Sequence, residues 1–152
     1  MAEHQPMRIK VFLDASYAIA LSSSSDSCHQ QAVQLASELE AEKTRLITTR
    51  AVILEVGNAL AKQRYRHAAV KLLNALEADP NIEIIPLSED LYGRAVKLYR
   101  ERPDKEWGLT DCVSFVAMQE RGISEALTTD EHFQQAGLRA LLQEDLSQGK
   151  PA

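Results

Sequence analysis

Four acidic residues stand where an acid is costly or conspicuous: Asp14, Glu55, Asp111 and Asp130. Asp14 directly follows the apolar run Ile9-Lys10-Val11-Phe12-Leu13, and Asp130 follows Leu127-Thr128-Thr129. Either could simply be a turn residue or helix cap at a strand end. Glu55 is harder to place. It interrupts Ala51-Val52-Ile53-Leu54-Glu55-Val56-Gly57-Asn58-Ala59-Leu60, a segment apolar nearly all round. A charge on such a face costs on the order of several kcal/mol unless it is paired or metal-bound. The plain alternatives are an ion pair with Arg50 or Arg64, or an exposed face. Asp111 follows Thr110 at a helix start, where the helix dipole favours an acid. Its stripe continues through Phe115 and Met118, so it points at the core edge.

Acids from separate segments that meet at one place repel. Two carboxylates about 4 Å apart repel by about 4 kcal/mol at an effective dielectric constant of about 20. Hard divalent cations with oxygen ligands remove that penalty, and Mg²⁺ or Mn²⁺ suits an all-carboxylate site. Four ionised acids carry four negative charges, which two such ions would cancel.

The elements that must bring these acids together are legible in the spacing. Residues 9–13 form a buried strand, followed by a helix over 15–21. A helix over 28–43 carries Ala32, Val33, Leu35, Ala36 and Leu39 at helical spacing. Residues 46–48 form a strand, and Thr49 caps a helix running to about residue 65. Another helix, 67–78, places Ala69, Val70, Leu73 and Leu76 on one stripe and stops before Pro80. Residues 82–85 form a strand closed by Pro86. Ser88 caps a helix that turns Leu91, Ala95, Leu98 and Tyr99 inward and stops before Pro103. Thr110 caps a helix over 111–121, ended by Gly122. A strand at 125–127, a helix over 130–136 ended by Gly137, and a strand at 138–142 complete the chain. Alternating strands and helices predict a parallel sheet covered on both faces, with ligands beyond the carboxyl ends of the strands.

Composition narrows the function classes. The 152 residues suit one domain, 1–152, with a core of about 8–142, a short polar N-terminus and a frayed tail. Hydrophobic residues make up 45%, enough for a core without disulfides. No apolar run is long enough for a membrane span, and the first seven residues lack a signal core, so a cytoplasmic protein is expected. Cys28 and Cys112 make no motif and read as reduced thiols. The net charge of −5 does not match a protein that holds nucleic acid by bulk electrostatics. It leaves room for a nucleic-acid enzyme whose acids sit at a metal site. His4, His29, His67 and His132 show no metal-ligand spacing and read as ordinary. No GxGxxG, Walker A or GxSxG pattern exists. A receiver-like phosphoryl acceptor would need a strand-end lysine, which 127–130 does not offer. Arg50, Lys62, Arg64 and Arg66 cluster around the Glu55 helix and could meet phosphates, or could form a solvated face.

Four segments carry a family resemblance: Val11-Phe12-Leu13-Asp14-Ala15-Ser16; Glu55 in 53–60; Asp104-Lys105-Glu106-Trp107-Gly108-Leu109-Thr110-Asp111-Cys112; and Leu127-Thr128-Thr129-Asp130-Glu131-His132-Phe133, with Gly137-Leu138 behind it. In order and spacing the chain resembles PIN-domain nucleases, and among them the VapC-type toxins of bacterial toxin–antitoxin pairs. The resemblance implies a three-layer α/β/α sandwich around a mainly parallel sheet. It implies that Asp14, Glu55, Asp111 and Asp130 form the metal site, with Asp14 and Asp111 as principal Mg²⁺ (or Mn²⁺) ligands and Ser16 and Thr110 in support. The implied activity is metal-dependent hydrolysis of RNA phosphodiester bonds, with an antitoxin partner and a homodimer. The alternative is a PIN-like binding module that acts through protein or RNA partners with little cleavage.

Overall fold

The computed structural model describes residues 8–143. The expectations for the polar N-terminus and the frayed tail lie outside these residues. In chain order the elements are β1 Lys10–Leu13, α1 Ala15–Ser22, α2 His29–Ala41, β2 Arg45–Thr49, α3 Arg50–Ala59, α4 Gln63–Ala78, β3 Ile82–Ile85, α5 Glu89–Glu101, α6 Leu109–Arg121, β4 Glu125–Leu127, α7 Glu131–Gln135 and β5 Arg139–Ala140.

All five strands are parallel, in the order β3-β2-β1-β4-β5. The chain starts at the centre, builds outward to β3, then returns to lay β4 on the other side of β1. Right-handed crossovers therefore place α1 to α4 over one face of the sheet and α5 to α7 over the other. Most contacts follow this division, α1 touching α2, α3 and α4 and α6 touching α5 and α7, while α3 also meets α6 across it. The strand order reverses between β1 and β4, the crevice where open α/β sheets bind ligands. Asp14 leaves β1 on one side of that crevice, and Asp130 follows β4 on the other.

Val11, Phe12 and Leu13 are fully buried, as expected of a central strand covered on both faces. An aromatic chain ties the crevice to the layer of α6. Trp107 meets Phe115 edge-on at 5.0 Å, Phe115 meets Phe133 edge-on at 5.0 Å, and Phe133 lies 6.4 Å from Phe12. The Trp107 indole N–H donates to Gln135 at 3.1 Å, so the 102–108 loop is fastened to α7. Among the described residues, no helix is long and apolar enough to cross a membrane.

The sequence reading needs four corrections. The helix capped by Thr49 ends at Ala59, not near residue 65, and the next begins at Gln63. No glycine or proline marks this break. Instead, the Arg66 guanidinium donates to the Ala61 carbonyl at 2.7 Å, satisfying the turn. Second, α6 begins at Leu109 with Gly108 as N-cap, so Thr110 is inside the first turn and does not cap. Third, the last strand is only Arg139–Ala140, and residues 141–143 are helical. Fourth, Tyr99 is half-exposed rather than inward, and Val33 and Val70 also sit at the surface. Gly122 and Gly137 both adopt positive φ, 64° and 84°, and end their helices as expected.

Phe133 joins the aromatic chain to β1 and is fully buried. Phe133→Ala should cost about 3–5 kcal/mol. A urea titration that found the midpoint unmoved would show that this ring does not support the crevice.

Candidate metal centre

Asp14 occupies the N-cap position of α1, yet its side chain makes no cap bond. Its Oδ2 instead accepts from the Thr128 hydroxyl at 2.7 Å and from the Ser16 hydroxyl at 3.1 Å. The carboxylate is therefore pinned across the β1–β4 crevice and does not serve the local turn. Ser16 also accepts from the Thr129 N–H at 3.1 Å, and Thr128 accepts from the Asp130 N–H at 3.0 Å. Two hydroxyls thus knit the loop after β4 to the start of α1. The exit of β1 is held from its other neighbour: the buried Thr48 hydroxyl donates to the Leu13 carbonyl at 2.7 Å. The next residue, Thr49, caps α3, accepting from the Val52 N–H at 3.2 Å. The end of β2 therefore fixes both β1 and the helix that carries Glu55.

Asp111, in the first turn of α6, is held through Oδ2. That oxygen accepts from the Gly108 N–H at 3.0 Å and meets His132 Nδ1 at 3.0 Å. Asp130 caps α7, its Oδ1 accepting from the His132 N–H at 2.9 Å. His132 Nδ1 also lies 3.4 Å from that oxygen. Asp111, Asp130 and His132 each offer a ligand atom within 4.8 Å of the others.

Glu55 has neither of the ion pairs that would explain it away. Arg50 pairs with Glu77, and the Arg64 guanidinium sits over the Tyr65 ring at 4.8 Å. Glu55 Oε2 is buried with no hydrogen-bond partner. Burial first, then the charges of Asp14, Asp111 and Asp130, push its carboxyl up to about 7. Burial likewise raises Asp14, against the pull of the Thr128, Ala15 and Ser16 donors, and Asp111 adds to the rise. Asp111 is raised mainly by burial, with Asp130 contributing. Burial alone would lower His132, but its bond to Asp111 and the charges of Asp130, Asp111 and Glu131 outweigh it and raise the imidazole. Glu55 thus feels all three aspartates, Asp14 feels Asp111, and Asp111 feels Asp130.

The donors suit a divalent cation: the carboxylates of Asp111 and Asp130 gather with the His132 imidazole, while Asp14 and Glu55 lie outside that close group and Glu55 Oε2 is buried and unsatisfied. Of the two supporting residues expected, Ser16 bonds directly to Asp14. Thr110 is half-buried in the first turn of α6 beside Asp111. Two residues escaped the sequence reading. His132 reads as ordinary by spacing, because its partner Asp111 lies 21 positions away. Thr128 contacts Asp14 across 114 positions. Its one local signal was a polar side chain at a buried strand end.

The PIN domain family model matches residues 11–138. The 23S rRNA-specific endonuclease VapC20 of Mycobacterium tuberculosis is 26% identical over 127 residues, covering 84% of this chain and 94% of the relative. The crystal structure of that VapC20, described as a sarcin-ricin loop cleaving toxin, superposes with a TM-score of 0.75 at 26% identity, over 84% of this chain and 95% of the other. The fold alone is shared with VapBC2 from Rickettsia felis, bound to a promoter DNA fragment: TM-score 0.62, 14% identity, covering 86% and 96% of the two chains.

Two expectations follow. Thr128→Val removes the shorter bond to Asp14, and losing such a supporting donor typically costs 10–100-fold in activity or metal affinity. Cleavage assays and cation titration should both register that loss while the thermal melt stays cooperative. The second concerns pH. Asp14, Glu55, Asp111 and His132 are all raised in the folded state, so their contributions are present at low pH and lost as pH rises through the folded values. Metal-free protein should therefore melt lower at pH 8 than at pH 5, and Glu55→Gln should shrink that difference. Glu83 and Asp104, both lowered, lose stability only on acidification and do not interfere in this window. A melting temperature that rises from pH 5 to pH 8 would contradict the arrangement.

Proposed function

The chain belongs to the PIN-domain family, and on that premise we propose that it is a divalent-metal-dependent endoribonuclease of the VapC toxin type. The observation that carries the proposal is Glu55, a buried carboxyl with an unpartnered oxygen, raised to about 7 by burial and by the charges of Asp14, Asp111 and Asp130. A fold whose stability alone was at stake would have little use for such an arrangement.

Asp14 and Asp111 would be the principal ligands of Mg²⁺ or Mn²⁺, with Asp130 and Glu55 completing the acidic set. When bound, the cation supplies Lewis acidity, lowering the pKa of water and offsetting charge that builds on the phosphoryl oxygens. The chain does the rest. Ser16 and Thr128 hold Asp14 through Oδ2, and the Gly108 N–H and His132 hold Asp111 through Oδ2, so neither carboxylate has to be ordered when RNA arrives. Glu55 Oε2, buried and unpartnered, orients the attacking water and does not itself attack. A new bond forms from water oxygen to phosphorus as the bond to the 3′ oxygen breaks, and the proton lost by water reaches that leaving oxygen. The products carry a 5′ phosphate and a 3′ hydroxyl.

The M. tuberculosis relative is named for 23S rRNA. For this chain we propose RNA as the substrate class, a cognate antitoxin that blocks the crevice, a homodimer, and action in the cytoplasm. Asp14→Asn should bring cleavage of total RNA in Mn²⁺ below detection with the fold intact, and EDTA should silence the wild type. Full activity in purified Asp14→Asn protein would refute this mechanism.

A further inference from the structure

An acidic nuclease has to hold a polyanion, and several of the arginines on this surface are already paired with acids. Arg8 pairs with Glu42 and Glu125, Arg50 with Glu77, Arg94 with Asp90 and Glu120, Arg102 with Asp104, and Arg121 with Glu83. One segment differs. Residues 56–76 form the longest stretch of the chain without an acid, and they carry Lys62, Arg64, Arg66, His67 and Lys71. All five are exposed. Among the described residues, none of Lys62, Arg64, Arg66 and Lys71 joins an ion pair.

The placement suits a strand of RNA. Arg64, His67 and Lys71 fall at i, i+3 and i+7 of α4, hence along one face. Lys62 stands at the N-cap of α4, whose first turn holds no acid to cancel the positive end of the helix dipole. Tyr65 is 40% exposed, with the Arg64 guanidinium over its ring, a pair on which a base can stack. Glu55 lies one short connection away. Four helical residues advance about 6 Å, and the three residues to Lys62 span at most about 10 Å more.

We infer that Lys62, Arg64 and Lys71, with Arg66 and Tyr65 beside them, form the phosphate-binding surface that delivers RNA to the acidic crevice. This rests on the nuclease reading and names the part of the chain that recognises the backbone. It also addresses the charge problem: the affinity comes from a local acid-free basic segment, not from the net charge of the molecule. Because these contacts are to phosphates, they supply affinity in a salt-dependent and sequence-independent manner.

The test compares the full chain with Lys62→Gln/Arg64→Gln/Lys71→Gln, sparing Arg66 because it also bonds the Ala61 carbonyl. The probe is a fluorescein-labelled RNA hairpin. Anisotropy in EDTA reads affinity across a salt series, and cleavage in Mg²⁺ reads kcat/KM. The triple variant should bind at least about 10-fold more weakly at low salt, and its salt slope should fall by about 2, at about 0.7 per lost contact. kcat/KM should drop in step. Lys62→Arg/Arg64→Lys/Lys71→Arg should restore binding, and Lys97→Gln/Arg100→Gln on α5 should leave it at the wild-type level. Wild-type affinity and slope in the triple variant, or equal loss in the α5 variant, overturns the proposal even if the wild type cleaves RNA. If the wild type binds the hairpin and the triple variant does not, yet nothing is cleaved in Mg²⁺ or Mn²⁺, the nuclease reading fails and the basic surface stands.

Discussion

Repulsion among carboxylates is the constraint on which this structure turns. Burial raises the affinity of Asp14, Glu55 and Asp111 for protons, and the charges of neighbouring acids add to the effect. Left alone, such a cluster would push its segments apart. The fold resists by anchoring each acid to a different element. Asp14 leaves the central strand, Glu55 rides on α3, Asp111 sits in the first turn of α6, and Asp130 caps α7. Those elements are in turn fixed by buried threonines and by the aromatic chain from Trp107 to Phe12. The repulsion is concentrated in one crevice, where a divalent cation can relieve it.

Much of the fold could be read directly. The β-branched run before Asp14, the Ser88 cap, prolines at 80, 86 and 103, and glycines at 122 and 137 all act locally, and local signals survive in a sequence. The break between α3 and α4 could not be read, because Leu60-Ala61-Lys62 contains nothing that stops a helix. Tertiary packing decides it: α3 buries Ala51, Val52, Ile53 and Val56, whereas α4 turns Ala69 and Leu76 inward. Tyr99 failed for the opposite reason. Its spacing fits an apolar stripe, but α5 buries only Leu91 and Ala95.

The acids were conspicuous because a charge beside an apolar run is costly wherever it occurs. Their supports were not. A threonine after a strand and a histidine in a short helix are unremarkable by type, and what distinguishes Thr128 and His132 is a partner remote in sequence. Ser16 was legible only because it lies two residues from Asp14. Charge behaves in the same way. A net value of −5 describes the molecule from afar, while at close range it separates into an acidic crevice, scattered surface ion pairs and an acid-free basic segment.

The strand order carries a consequence for timing. The bond between Asp14 and Thr128 closes a loop of 114 positions, and the crevice between β1 and β4 does not exist until β4 docks. During synthesis, β1, β2 and β3 can assemble with their helices while the opposite wall is still unmade. Asp14 then waits at an unfinished edge, without Asp111, Asp130 or the hydroxyl that fixes it. A ribosome must therefore release the chain through α7 before the nascent chain holds both walls of the crevice, and a product truncated before α6 would lack Asp111 and Asp130.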